Sequence, residues 1–194
     1  KKVIIVSVTG ELNGLSLFNG KNLLFLDEQE IIGQLQTKNI QLKKIVIQKK
    51  FHDKIALYLT WRIPVARVIT PGTPFYIDSE GFPAFLFADP SSFPEIHVFR
   101  YVYEVNSADW RLKKAGLLIE NLNKVGLQIS KISINDDQSE FKIWIDSAIE
   151  ILIPIIFEPD SISASLQTII SRFRIEGKSI AKIDLRISTP VVIL

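Results

Sequence analysis

The feature that most constrains the fold is a strict alternation of apolar and polar residues over residues 55–63. A period of two is that of a β-strand with one buried face. The apolar face comprises Ile55, Leu57, Leu59, Trp61 and Ile63. Pro64 closes this strand, because proline has no N–H to donate to a sheet ladder. The chain therefore contains a sheet that is covered on one side, and we expect Trp61 to be largely buried there.

A turn-rich segment separates this strand from the rest of the chain. Pro71-Gly72 turns the backbone, and Phe75-Tyr76-Ile77 then begins a new strand. Strand order restarts at this point, and each side has its own apolar stripes. The sequence therefore predicts two separately folding modules that meet near residues 64–71, with domains at residues 1–66 and 67–194.

Composition identifies a folded globular protein, since 47% of the 194 residues are hydrophobic and 23% are charged. The charge is uneven. Residues 1–65 contain ten Lys or Arg against five Asp or Glu, whereas the rest of the chain contains 13 against 16. The first module is basic, but its lysines are scattered and lack the interleaved aromatic residues of a nucleic-acid surface. We expect no nucleic-acid partner and a mild attraction to anionic membrane surfaces.

The chain contains no cysteine and no methionine. Disulfides, thiolate catalysis and cysteine zinc sites are therefore excluded. Because translation begins with methionine, we expect Lys1 to be an internal residue of a longer product. The longest apolar run, residues 149–157, contains Glu150 and Pro154 and is far shorter than the ~20 residues of a membrane helix. We expect any anchor helix or signal peptide to lie upstream of Lys1.

The first module reads as strand, loop, helix, strand, strand. Residues 3–8 are β-branched and apolar, which predicts the first strand. Asp27 and Glu30 have the spacing of a capping box and predict the start of a short helix. Residues 42–47 and 55–63 are the two following strands.

The second module combines helices with an antiparallel meander. Apolar residues three or four apart predict a helix from Ser107 to Gly126, beginning with Ala108 in its stripe. Three alternating segments, residues 129–134, 141–145 and 149–157, predict consecutive antiparallel strands. They are followed by a second helix that we expect Asp160-Ser161 to cap and Gly177 to end.

The last predicted strand covers residues 180–187. Its alternation places Ile183, Leu185 and Ile187 inward and the charged Lys182, Asp184 and Arg186 outward. Pro190 removes a donor just beyond it, as edge strands tolerate. We expect this strand to lie at the edge of its sheet, where a partner strand could add main-chain hydrogen bonds. The alternative is a purely structural strand on which Asp184 and Arg186 form a loose surface pair.

No constellation of side chains predicts catalysis. His52 and His97 lie in different modules, so they do not suggest a shared metal or acid-base site. Asp136-Asp137 follows a strand and is typical of a turn. Asp78 and Gly81 also indicate a turn, in which Asp bonds the backbone two residues on and Gly takes a positive φ. We expect neither enzymatic activity nor a cofactor.

Four sequence landmarks carry a resemblance to a known family. They are Arg62-Ile63-Pro64-Val65-Ala66, Tyr76-Ile77-Asp78 with Gly81 beyond it, Phe93-Pro94-Glu95-Ile96, and Ile183-Asp184-Leu185-Arg186. In this order and spacing the chain resembles the extracytoplasmic region of the bacterial cell-division family FtsQ/DivIB. The chain departs from that pattern at Trp61, where an acidic residue is usual, at Ser147-Ala148, which replaces an Asn-Gly or Asp-Gly turn, and at Ile187, which replaces a tyrosine.

The resemblance implies an α+β fold. Residues 1–66 would form a small POTRA domain with the order strand, helix, helix, strand, strand. Residues 67–194 would form a larger, mostly antiparallel β domain with two helices. By the same resemblance the protein would be a non-enzymatic divisome scaffold at the division septum. It would be held in the cell membrane by a single upstream helix, with this region periplasmic or extracellular.

The resemblance also implies partners. The terminal strand would bind FtsB/DivIC-like and FtsL-like coiled-coil division proteins, and the scaffold would link them to septal peptidoglycan synthesis. The implied partner-binding residues are Lys182, Asp184, Arg186, Ile187, Ser188, Thr189, Val191, Val192 and Ile193. The alternative is a POTRA-containing component of an outer-membrane assembly or secretion system, although such proteins usually carry several POTRA copies or a barrel.

Overall fold

The computed structural model describes residues 4–7, 12–18, 22, 25, 27–50, 54–84, 93–99, 109–135 and 140–194. The chain is an α+β protein and divides into two compact units, residues 1–62 and residues 63–194. Each unit has its own sheet and its own apolar core. The sequence-based boundary after residue 66 lies a few residues beyond this division.

The first unit is a three-stranded sheet with helices. In chain order it contains β1 (Ile4–Ser7), a 3-10 helix (Leu15–Phe18), α1 (Glu28–Lys38), β2 (Leu42–Lys50) and β3 (Lys54–Trp61). The sheet order is β1-β3-β2, with β3 parallel to β1 and antiparallel to β2. The helix α1 begins where the capping box predicts, because the Asp27 carboxylate accepts a hydrogen bond from the Glu30 N–H at 3.1 Å.

The alternation along β3 assigns its two faces correctly. Ile55 and Leu57 are buried in the core of the first unit, whereas Tyr58 is exposed on the opposite face. Trp61 packs against the same core with most of its side chain buried, as the alternation predicts. Ile63 lies beyond the strand and is exposed.

The second unit is built on a nine-stranded sheet. It contains β4 (Ala66–Ile69), β5 (Phe75–Ile77), β6 (Pro83–Ala84), β7 (Glu95–Val98), α2 (Trp110–Lys124), β8 (Ile129–Asn135), β9 (Glu140–Ile145), β10 (Ile149–Pro154), α3 (Pro159–Ile175), β11 (Lys182–Asp184) and β12 (Val191–Ile193). The strand order is β12-β11-β10-β9-β8-β7-β4-β5-β6. Most neighbouring strands are antiparallel, as expected from the sequence.

The meander of β8, β9 and β10 confirms the prediction of three consecutive antiparallel strands. Three other pairings, β4 with β7, β7 with β8 and β10 with β11, are parallel. Parallel neighbours need a crossover connection, and α2 and α3 provide the crossovers from β7 to β8 and from β10 to β11. These helices pack against each other, and both contribute to the core over one face of the sheet.

Both helices of the second unit match the sequence prediction, with one correction. Gly126 follows α2 with φ +78°, and Gly177 follows α3 with φ +67°, as helix ends require. The predicted residue Ala108 lies outside the described residues. Asp160 does not cap α3, because the helix already begins at Pro159, whose fixed φ suits the first turn. Asp160 instead accepts a hydrogen bond from the Asn121 amide at 2.7 Å.

A tight turn at residues 78–82 joins β5 to β6 and confirms the structural role predicted for Asp78 and Gly81. One carboxylate oxygen of the buried Asp78 accepts hydrogen bonds from the Glu80 N–H at 3.0 Å and the Phe82 N–H at 2.9 Å. Gly81 takes φ +82° and touches the backbone of α2. The turn therefore also positions α2.

Candidate functional site

The end of the chain does not have the strand that the sequence predicts. Residues 180–187 contain only the short strand β11, and Ile187, which was assigned inward, is 59% exposed. The cause is local: the Asp184 carboxylate accepts a hydrogen bond from the Arg186 N–H at 3.0 Å. This two-residue step is an Asx turn, which competes with the ladder and ends the strand.

The expectation that this strand lies at the sheet edge was also wrong. β11 is paired on both sides, in parallel with β10 and antiparallel with β12. Residues 185–190 reverse the chain, and Pro190 precedes β12. Val191, Val192 and Ile193, which the sequence treats as a tail beyond the strand, therefore form the edge themselves.

The side chains of β12 alternate as an edge strand requires. Val192 lies opposite Ile183 and packs against the core of the second unit. Val191 and Ile193 are on the other face, opposite Asp184 and Lys182, and are 46% and 51% exposed. They give this face of the edge strand an exposed apolar surface, and the nearby chain residues Ile187 and Leu194 are exposed as well. We call β12 with these exposed side chains the terminal edge.

Of the other three described sheet edges, β2 and β6 carry features that discourage strand addition, whereas β1 contains neither lysine nor proline. In the second unit the opposite edge is β6, which has two residues and begins with Pro83. In the first unit the edge strand β2 carries lysines at residues 43, 44, 49 and 50. Short length, proline and lysine are the usual protections of sheet edges. β12 is as short as many protected edges, but its three residues are all apolar.

Arg186 is the centre of an ion-pair network that lies behind the terminal edge. Its guanidinium contacts Asp184 through two parallel hydrogen bonds, Nε to Oδ1 at 2.9 Å and Nη2 to Oδ2 at 2.6 Å. The remaining nitrogen, Nη1, donates to Glu140 Oε2 at 2.8 Å. The Glu140 side chain is only 6% exposed, so loss of Arg186 would leave a buried acidic group without this partner. The network thereby fastens the connection after β11 to the start of β9.

This network changes the role that the sequence suggests for Arg186. The bidentate contact is the strong form of an arginine-carboxylate pair. The sequence counts Arg186 among the partner-binding residues, but its guanidinium already contacts two carboxylates of its own chain. Arg186 and Asp184 therefore act by positioning the terminal edge. Lys182 has a similar positioning role, since its ammonium pairs with Glu150 of β10 at 2.9 Å.

The pKa values of the two strand carboxyls reflect these pairs. A side-chain hydrogen bond from Arg186 holds the pKa of Asp184 below its usual value, against the opposing effect of burial. A side-chain hydrogen bond from Lys182 lowers the pKa of Glu150 in the same way. A carboxyl whose folded pKa is lowered stabilises the fold above its unfolded pKa. That contribution is lost as the pH falls through the folded pKa.

Acid should therefore weaken the wild-type chain more than a variant that lacks these carboxylates. We expect the free energy of unfolding of the double variant Asp184→Asn, Glu150→Gln to be lower than wild type at neutral pH and to converge with it as the pH falls below about 4. Denaturant unfolding across this range measures the difference. A constant difference at every pH would contradict the assignment.

The other residues that the sequence singles out do not converge on a site. His97 Nε2 lies 2.9 Å from Glu95 Oε2, and Arg67 lies 3.6 Å from the other oxygen of Glu95. His52 and Asp136-Asp137 lie outside the described residues. Within the described ranges, no group of three or more acidic or histidine side chains could hold a metal ion. The terminal edge is therefore the candidate functional site.

Comparison with known proteins does not identify a family for this chain. No model of a protein family matches the chain, and no curated protein matches it. None of the helices in the described part of the chain is long and apolar enough to cross a membrane.

Proposed function

We propose that the chain is a non-enzymatic scaffold of the bacterial divisome that binds its partner by strand addition at the terminal edge. The observation that carries this proposal is the edge strand β12, whose outward side chains Val191 and Ile193 are apolar and exposed. A strand laid along β12 gains main-chain hydrogen bonds from the sheet. Its alternate side chains would cover the exposed apolar surface and supply the specificity.

The partner class comes from the resemblance to the FtsQ/DivIB family. The proposed partners are FtsB/DivIC-like and FtsL-like coiled-coil division proteins, which the scaffold would link to septal peptidoglycan synthesis. The protein would act at the septum, outside the cytoplasm, with an upstream helix as its membrane anchor. The fold is compatible with this, since the first unit has the strand and helix order expected of a POTRA domain.

The network around Arg186 supports the proposal because it holds the acceptor strand in place. Among the described strands, β12 is paired only with β11, and β11 has three residues. The pairs Asp184–Arg186–Glu140 and Lys182–Glu150 fix both ends of β11 to the meander. A partner strand would therefore meet an edge that is already ordered, which lowers the entropy cost of binding.

The test places charged residues in β12 while keeping β12 paired with β11. The register suggests the double variant Val191→Lys, Ile193→Asp, which puts lysine opposite Asp184 and aspartate opposite Lys182. Each new residue then forms a favourable cross-strand pair, so β12 should stay in the sheet. We expect affinity for a co-expressed FtsB/DivIC-like and FtsL-like partner to fall at least tenfold, or about 1.4 kcal/mol.

A matched control uses exposed apolar residues that lie outside β12. Ile156 and Ile175 are also highly exposed, so Ile156→Lys, Ile175→Asp makes the same chemical changes elsewhere on the second unit. Isothermal titration calorimetry with the extracytoplasmic part of the partner compares the two double variants. Equal affinity of the edge variant and wild type would place the partner elsewhere.

A further inference from the structure

Charge is strongly segregated in the first unit. The strands β2 and β3 together carry five lysines and no acidic residue. The acidic residues of the described part of this unit, Asp27, Glu28 and Glu30, are at the start of α1. The sheet is therefore the basic side of the unit, and the helix start is its acidic side.

The register divides these lysines between the two faces of the sheet. Lys49 lies on the face that α1 covers, and its ammonium pairs with Glu28 at 2.9 Å. Lys44, Lys50 and Lys54 lie on the opposite face, the one turned away from α1. We call this second surface the basic face. Its described residues are Lys44, Val46, Gln48 and Lys50 on β2 and Lys54, Tyr58, Thr60 and the buried Ala56 on β3.

Among the residues that the structure describes, the lysines of the basic face have no counter-charge. No residue that the structure describes forms an ion pair with Lys44, Lys50 or Lys54, and all three are exposed. Lys50 lies directly opposite Lys54 in the β2–β3 ladder. Like charges in directly opposed cross-strand positions destabilise a sheet. An anionic surface placed on this face would relieve that repulsion.

The centre of the basic face is apolar and aromatic. Val46 and Tyr58 are directly opposite each other and are 43% and 52% exposed. The Tyr58 hydroxyl donates to the Gln48 side chain at 3.1 Å. An exposed aromatic with a polar tip, flanked by lysines that extend past it, suits the interface between lipid headgroups and acyl chains.

We propose that the basic face is a docking surface for a membrane that contains anionic phospholipid. Lysines at both ends of the face would meet lipid phosphates, while Val46 and Tyr58 contact the headgroup boundary. Near an anionic bilayer each lysine adds electrostatic attraction to the surface. An acidic polypeptide would use the same charges, but it would not explain the exposed apolar pair that lies between them. This inference concerns the first unit and is independent of the terminal edge.

The experiment measures binding of the whole chain to vesicles of phosphatidylcholine with and without phosphatidylglycerol. We expect sedimentation with the mixed vesicles at low salt and little sedimentation with phosphatidylcholine alone. The triple variant Lys44→Gln, Lys50→Gln, Lys54→Gln should lower the partition coefficient at least tenfold. The control variant Lys113→Gln, Lys124→Gln, Lys178→Gln makes the same change in net charge on the second unit and should bind like wild type.

A second variant separates a membrane from an acidic polypeptide. Val46→Ser, Tyr58→Ser removes the apolar centre and should weaken vesicle binding while leaving any binding to polyglutamate unchanged. Circular dichroism melts of each variant check that the first unit remains folded. Equal loss in the two triple-lysine variants, or binding to polyglutamate without binding to mixed vesicles, would overturn the proposal.

Discussion

Replacing Gly81 by alanine is expected to lower the free energy of unfolding of the second unit by about 3 kcal/mol. Gly81 has φ +82°, a conformation that costs L-residues about 1 to 2 kcal/mol. A Cβ at this position would also lie 2.6 Å from the backbone nitrogen and 2.9 Å from the Cα of Lys113. Because the obstacle is helix backbone, the turn and α2 would have to separate.

The matched control is Gly126→Ala. Gly126 has a similar φ of +78°, but no atom lies within 4 Å of the position that its Cβ would occupy. This variant should pay only the conformational cost of about 1 to 2 kcal/mol. Guanidinium unfolding of both proteins compares the two costs. Equal destabilisation would show that the approach of the turn to α2 is loose.

The second large effect is expected at Asp78. Alanine at this position removes the oxygen that accepts hydrogen bonds from both the Glu80 and Phe82 N–H groups. Leaving two backbone donors without their acceptor in a mostly buried turn should cost about 3 kcal/mol. Loss of these two hydrogen bonds would also loosen the turn that places Gly81 against α2.

Asparagine is the informative comparison at the same position. Both hydrogen bonds end on Oδ1 of Asp78, and an asparagine has an equivalent oxygen. Asp78→Asn should therefore cost about 1 kcal/mol, the difference between a charged and a neutral acceptor. The free energies of unfolding of Asp78→Ala and Asp78→Asn give the test. If asparagine is as damaging as alanine, the charge of Asp78 matters more than its hydrogen bonds.

Elements with a repeating pattern could be predicted from the sequence. The alternation along β3, β8, β9 and β10 and the apolar stripe of α2 depend on residues that are close in the chain. The turn around Asp78 and Gly81 was also predictable, because each residue type has a specific backbone role there. Such local signals do not depend on which strands meet in the fold.

Elements set by distant pairing were missed. β4 and β7 have only four residues each, which is too short for a period to be recognised. Their parallel pairing joins Arg67 to Glu95, and no feature of either segment specifies the other. The sequence places residues 66–69 near the junction of the two modules and predicts no strand at residues 93–96. Both segments form interior strands of the large sheet.

The candidate site was predicted in the right part of the chain but with the wrong geometry. The alternation of residues 180–187 favoured one long strand. The pattern of apolar and polar residues does not show whether a side chain forms a hydrogen bond with the nearby backbone. The bond from Arg186 N–H to Asp184 ends that strand early. The chain then reverses direction, and the residues after Pro190 pair with β11 as the edge strand. Arg186 therefore lies behind the edge.

The apolar edge at β12 also governs how the free protein behaves at high concentration. Within the described part of the chain, the outer side of β12 is unpaired, and this side is identical in every copy. Two copies can pair antiparallel along it around a two-fold axis, since such an arrangement is self-complementary. Self-association and partner binding therefore compete for the same main-chain groups. By mass action, a bound partner strand on β12 prevents two copies of the protein from pairing through this edge.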